Sequence, residues 1–130
     1  MNVKIFFTLA MVVNLFYGLW YFLAPQGAAN VYGFGAITTP LSNVMLQFMG
    51  TLFIAEGVMC GVARKADKSP GRTAVLAFVA VSGLLCFYLD IRTVMGDPGT
   101  MDYVDMVING LFGFGALYFI VQDRKTSLAE

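Results

Sequence analysis

Glu56 stands alone as the only charge in a stretch from Leu41 to Ala63. A carboxyl inside such a run can carry a proton, take an ion or hold a polar group, and it is costly in lipid unless it faces protein or water. Further along the chain come Asp90 and then Asp102, Asp105 and Asn109, the last three spaced i, i+3, i+7. Carboxylates at that spacing share one helix face, where they can do acid–base work or hold a divalent ion. Asp102 and Asp105 at a helix start are also ordinary companions of the helix dipole. Asn14, Tyr17 and Ser82 add hydrogen-bonding groups at the middle of other apolar runs.

If these stripes all turn inward, Asn14, Tyr17, Glu56, Ser82, Asp90, Asp105 and Asn109 converge on a polar cleft. Glu56 would then lie at or beneath its floor. The simpler reading is interhelical hydrogen bonding that holds helices together, at ~0.6 kcal/mol per contact. Gln47 falls on the opposite side of its helix from Glu56, so at most one of the two enters the cleft. Arg92 belongs at the far edge and Arg64 lies two turns away, so no close ion pair is expected for Glu56. The expectation is a carboxyl that is neutral at rest or hydrogen-bonded to an interior group such as Asn14 or Ser82.

Other chemistry is limited by what the chain lacks. It has no histidine, which excludes histidine-ligated haem, the common histidine zinc sites and Ser-His-Asp catalysis. Cys60 and Cys86 fall at different depths and do not form a C-x-x-C pair, so both read as small apolar residues. No residue set implies a cofactor or a metal site. Net charge is formally zero, against a nucleic-acid partner.

The elements that position these residues are membrane spans. Of the 130 residues, 58% are hydrophobic and 12% charged, with a mean hydropathy of +0.75. Soluble domains carry about twice that share of charge. Four apolar runs, about 4–23, 41–63, 72–90 and 102–122, are each long enough to cross a ~30 Å hydrocarbon core. The first run is too long for a signal-peptide core and reads as an uncleaved span. Trp20, Tyr17 and Tyr21 suit an aromatic belt at its end, and Pro25 stops the helix. The segment 26–40, QGAANVYGFGAITTP, reads as a loop, with Tyr32 and Phe34 at the interface or folded back over the helix ends. Thr39-Pro40 and Ser69-Pro70 are cap-then-proline starts for the second and third spans. Asp97-Pro98-Gly99 is turn chemistry before the fourth.

Short connections between four spans give a single all-α domain over residues 1–130, an antiparallel four-transmembrane-helix bundle. Its small residues, Gly50, Gly57, Gly61, Gly110 and Gly113, let backbones approach closely in lipid. They serve either packing within the chain or a homodimer seam.

Span count and loop layout resemble the small DoxX-like membrane proteins, and more narrowly the bacterial family of unknown function DUF4345. The resemblance is carried by NLFYGLWYFLAP ending the first span, the VYGFG loop, and LQFMGTLFIAEGVMCGVAR. It implies a four-helix protein of a bacterial inner membrane and transfers no catalytic residue. Three function classes follow, in this order. The first is a non-enzymatic accessory or assembly protein that binds lipid, a membrane-protein partner or a second copy. The second is an oligomeric transporter or channel using Glu56. The third is a membrane enzyme acting on a lipid or quinone.

Seven of the eight Lys and Arg residues, all but Arg92, fall on one side of this layout. The positive-inside rule therefore places both termini and the Arg64–Arg72 loop in the cytoplasm. Single cysteines at Gly27, Ser69 and Gly99 in a chain freed of Cys60 and Cys86 test this. An impermeant reagent applied to intact cells should label Gly27→Cys and Gly99→Cys and spare Ser69→Cys; the reverse pattern inverts the topology.

Overall fold

A computed structural model describes residues 2–33, 37, 39–96 and 99–127. Phe34 and Gly35 of the VYGFG loop, and Asp97-Pro98 of the later turn, lie outside the described residues. The described chain folds as five helices: α1 (Val3–Leu23), α2 (Pro25–Val31), α3 (Pro40–Ala63), α4 (Pro70–Val94) and α5 (Thr100–Ser127). By length and composition α1, α3, α4 and α5 can each cross a membrane, which makes this a multi-pass membrane protein. The side chains on the outside of α1, including Ile5, Leu9, Val12, Phe16 and Leu19, are apolar and exposed, as lipid contact requires.

Local chemistry sets the helix starts. The Thr39 side chain accepts from Ser42 N–H, and the Ser69 side chain from Arg72 N–H, with proline at the first helical position each time. Asn2 caps α1 by accepting from Lys4 N–H. Gly99 N–H donates to the Asp102 carboxylate at 2.6 Å as α5 begins.

Three boundaries differ from those expected. The segment after Pro25 is not all loop, because Pro25 starts α2 instead of only ending α1. Its ring forbids continuation of α1 but is preset for the first turn of a new helix. Ala28 and Ala29 then bury completely against α1 and α3. Helix α4 runs past Asp90 and Arg92 to Val94, since Asp90 finds a partner on α5 and need not leave the helix. Helix α5 extends through Asp123, Arg124 and Lys125, cations in a last turn being favoured by the dipole.

The four long helices associate as two close antiparallel pairs, α1 with α3 and α4 with α5. Glycine makes each approach possible. A Cβ on Gly18 would come within 2.7 Å of Ile54 Cγ1 and 2.9 Å of the Gly50 carbonyl oxygen. A Cβ on Gly83 would lie 2.8 Å from Gly113 N. Gly57 and Gly61 sit against Leu15 and Met11 of α1, and Gly110 against Phe87 of α4. The faces that carry Gly50, Gly57, Gly61, Gly110 and Gly113 thus meet neighbouring helices of the same chain.

Bulky side chains join the two pairs. Phe6, Phe7, Cys60, Leu76, Val79 and Phe119 belong to one buried cluster at the end where Lys4, the Arg64–Arg72 loop, Arg124 and Lys125 gather, called the basic end below. Phe6 packs edge-on to Phe112 at 5.9 Å and tilted against Phe119 at 5.3 Å. At the same end Arg72 pairs with Asp123 at 2.7 Å, tying α4 to α5.

Gly18→Ala and Gly83→Ala should each lose about 1–3 kcal/mol, the usual cost of overpacking, because the clashing atoms include backbone. Gly27→Ala meets nothing closer than 3.7 Å and should be neutral. Detergent or thermal unfolding followed by circular dichroism measures all three.

Candidate functional site in the acidic half

At the opposite end, marked by Asp90, Asp102 and Asp105, the space between the helix pairs is not filled. A half-open cavity of about 60 Å³ remains, enough for a few waters or one small polar head group. Helix α1 supplies Val13, Asn14, Tyr17 and Tyr21 to its wall; α3 supplies Phe53; α5 supplies Asp105, Ile108, Asn109 and Phe112. Tyr32, just beyond α2, completes the lining.

Asp105 anchors the site. Tyr17 Oη donates to its Oδ1 at 2.8 Å and Tyr32 Oη to its Oδ2 at 2.6 Å. Two phenols on two different segments thus hold one carboxylate. About four lone-pair positions are available on a carboxylate, so two remain for a ligand or water. Among the described residues no Lys or Arg pairs with Asp105. Around it the rings form a continuous aromatic wall: Tyr21 lies 6.0 Å from both Tyr32 and Phe53, and Tyr17 lies 6.4 Å from Phe53. Trp20 backs the wall, 6.3 Å from Tyr32.

The expected cleft residues separate into three groups. Asn14, Tyr17, Asp105 and Asn109 line the cavity together. Asp90 stands behind it and accepts from Asn109 Nδ2 at 2.8 Å, which fixes how that amide is presented. Glu56 and Ser82 form a pair of their own between α3 and α4, outside the cavity lining. Ser82 Oγ is 3.2 Å from Glu56 Oε1 and 3.3 Å from the Val79 carbonyl, so its one proton is shared between them. Asn14 does not reach Glu56; its amide donates to the Ala10 carbonyl at 3.0 Å. Gln47 points away from this seam and donates to the Phe22 carbonyl.

No family model, curated protein or solved structure matches this chain. The site must therefore be read from its own geometry. Among the described residues no three His, Cys, Asp or Glu side chains gather as a metal-ligand group. Cys60 and Cys86 are free thiols.

Tyr21, Tyr32 and Phe53 belong to the site without having been singled out as site residues. Tyr21 follows Tyr17 by one turn, and that spacing is a usable signal. Tyr32 carries none, because its position depends on the short turn of helix that swings it back over the end of the bundle. Of its two expected placements, the folded-back one is found.

Burial pushes the Tyr32 phenol above the ordinary tyrosine range, and its hydrogen bond to Asp105 adds to the shift. The neutral phenol is the form the fold selects. Its contribution is fully present below the unfolded tyrosine value of about 10 and is lost as pH rises above it, where the unfolded chain gives up its proton first. Tyr32→Phe should therefore lower stability by about 1–2 kcal/mol at neutral pH and flatten the loss seen above pH ~10. Unfolding midpoints of both proteins from pH 7 to 11 measure the difference.

Proposed function

We propose that this chain is a non-enzymatic binding protein of the bacterial inner membrane, with both termini in the cytoplasm, that holds a small organic ammonium group in its acidic-end cavity. The observation that carries this is Asp105: an acid fixed by two phenols, with no Lys or Arg pairing to it among the described residues, in the wall of an aromatic-lined cavity. A carboxylate supplies the counter-charge for an ammonium group. Tyrosine and phenylalanine faces attract the same group through their quadrupoles, by about 0.5–2 kcal/mol per ring. Two lone-pair positions on Asp105 and the Asn109 side chain are available to N–H donors, where the ligand has them.

The competing classes find less support. The acids do not converge as a catalytic pair, since Asp105 is held by Tyr17 and Tyr32, Asp90 by Asn109, and Asp102 by the Gly99 amide. The oligomeric transporter reading rests on Glu56, which pairs with Ser82 between α3 and α4 and does not line the cavity. The DoxX-like layout fits this non-enzymatic reading, and transfers no site to it.

Choline and ethanolamine are suitable probes, with 3,3-dimethyl-1-butanol as the uncharged counterpart of choline. Binding to the detergent-solubilised protein, followed by tyrosine fluorescence and calorimetry, should favour the ammonium compounds. Asp105→Asn should weaken them at least about tenfold, or ~1.4 kcal/mol, while preserving the helical spectrum. Equal binding of the uncharged alcohol, or undiminished binding to Asp105→Asn, would exclude the assignment.

A further inference from the structure

The basic end carries a second concavity that the Asp105 site does not use. It is a groove of about 680 Å³ between α4 and α5, open to the surroundings of the bundle. Its floor is apolar and shallow-sided: Ala74 and Ala77 of α4, one turn apart, face Ile120 of α5. Ala74 and Ala77 are both exposed, so the floor is continuous with the lipid-facing surface. Larger exposed apolar side chains, Phe78 and Val81, follow on α4 beyond the groove.

The mouth is cationic. Lys68 stands on the α4 side and Arg124 on the α5 side, both exposed. The acid at this mouth, Asp123, is engaged by Arg72 at 2.7 Å, so that pair contributes no net charge. Two positive side chains therefore face each other over an apolar channel that leads into the membrane.

We infer that this groove binds one anionic phospholipid, its phosphate between Lys68 and Arg124 and an acyl chain along Ala74, Ala77 and Ile120. Charge complementarity selects the head group, and each basic residue near a membrane surface adds a favourable increment. The apolar floor selects a lipid over a soluble anion, which would leave the channel uncovered. This site stands independently of the ammonium cavity, which lies at the opposite end of the bundle.

Full-length protein in mild detergent, offered phosphatidylglycerol or phosphatidylethanolamine, is read by native mass spectrometry. One phosphatidylglycerol per chain should be retained about tenfold more strongly than phosphatidylethanolamine, the step that ~1.4 kcal/mol provides. Lys68→Gln combined with Arg124→Gln should abolish that preference. Arg64→Gln combined with Lys65→Gln removes the same charge from the same end outside the groove, and should keep it. Ala77→Phe, on an exposed position, fills the floor while leaving all charges in place, and should lower retention of phosphatidylglycerol. Equal losses from the two charge-removing pairs would reduce the effect to general surface attraction and overturn the site. So would full retention by Ala77→Phe, equal retention of both lipids, or a dimer that displaces lipid from the groove.

Discussion

Close backbone contact at two glycine crossings is the constraint on which the rest of the bundle depends. In lipid there is no hydrophobic drive to press one apolar helix against another, so packing contact and interhelical hydrogen bonds hold them. Gly18 against Gly50 and Gly83 against Gly113 bring α1 to α3 and α4 to α5 at distances no side chain would permit. Each pair then behaves as a ridge with large side chains along its inner edge. The space between the two ridges is wider and is filled by those side chains alone. Whether that space is solid or hollow is decided residue by residue along the axis.

In the basic half it is solid. Phe6, lying over Gly115, reaches across to Phe112 and Phe119, and Leu76 and Val79 close the remaining gap. In the acidic half the same positions carry phenols and an acid. A tyrosine ring occupies much the same volume as phenylalanine but brings a donor with it. Tyr17 and Tyr32 use theirs on Asp105, which among the described residues has no Lys or Arg partner. Ser82 does a weaker version of the same for Glu56, with a shared proton at longer range. Asn109 serves Asp90. Each intramembrane acid thus meets a neutral donor from a different helix, so the polar groups also fix the register between the pairs.

Much of this architecture is legible in the sequence. The four spans follow from uninterrupted apolar length, and Thr39-Pro40 and Ser69-Pro70 mark their helix starts because the cap and the proline act within one turn. The small-residue faces are also visible, although the tightest crossings use Gly18 and Gly83, which have no i+4 glycine to form the familiar motif. Helix α2 is the element that was not visible. It is seven residues long, too short for periodicity to reveal, and it exists because Ala28 and Ala29 can bury against the two flanking helices, α1 and α3. The position of Tyr32 follows from α2 and is hidden for the same reason. The separation of Glu56 from the cavity depends on the rotation of α3 about its axis, which a stripe of spacings leaves open by a turn.

That rotation has a functional consequence. With Glu56 placed toward α4, α3 offers the cavity only the ring of Phe53. The acid that faces the cavity therefore comes from α5, one helix pair away, and its partners come from α1 and the end of α2. The cavity is a half-open joint between the two ridges, its lining completed by the Tyr32 phenol just beyond α2. A change in how Asp105 is satisfied acts on α1, the end of α2 and α5 together, because Tyr17 and Tyr32 both donate to its carboxylate. Each Asp105 oxygen accepts from one phenol, Oδ1 from Tyr17 and Oδ2 from Tyr32, and keeps a further lone pair. The end of α2 and the middle of α1 are thus held to α5 through these two oxygen atoms, while in the basic half the pairs are joined by packed side chains and α4 is tied to α5 by the Arg72–Asp123 pair.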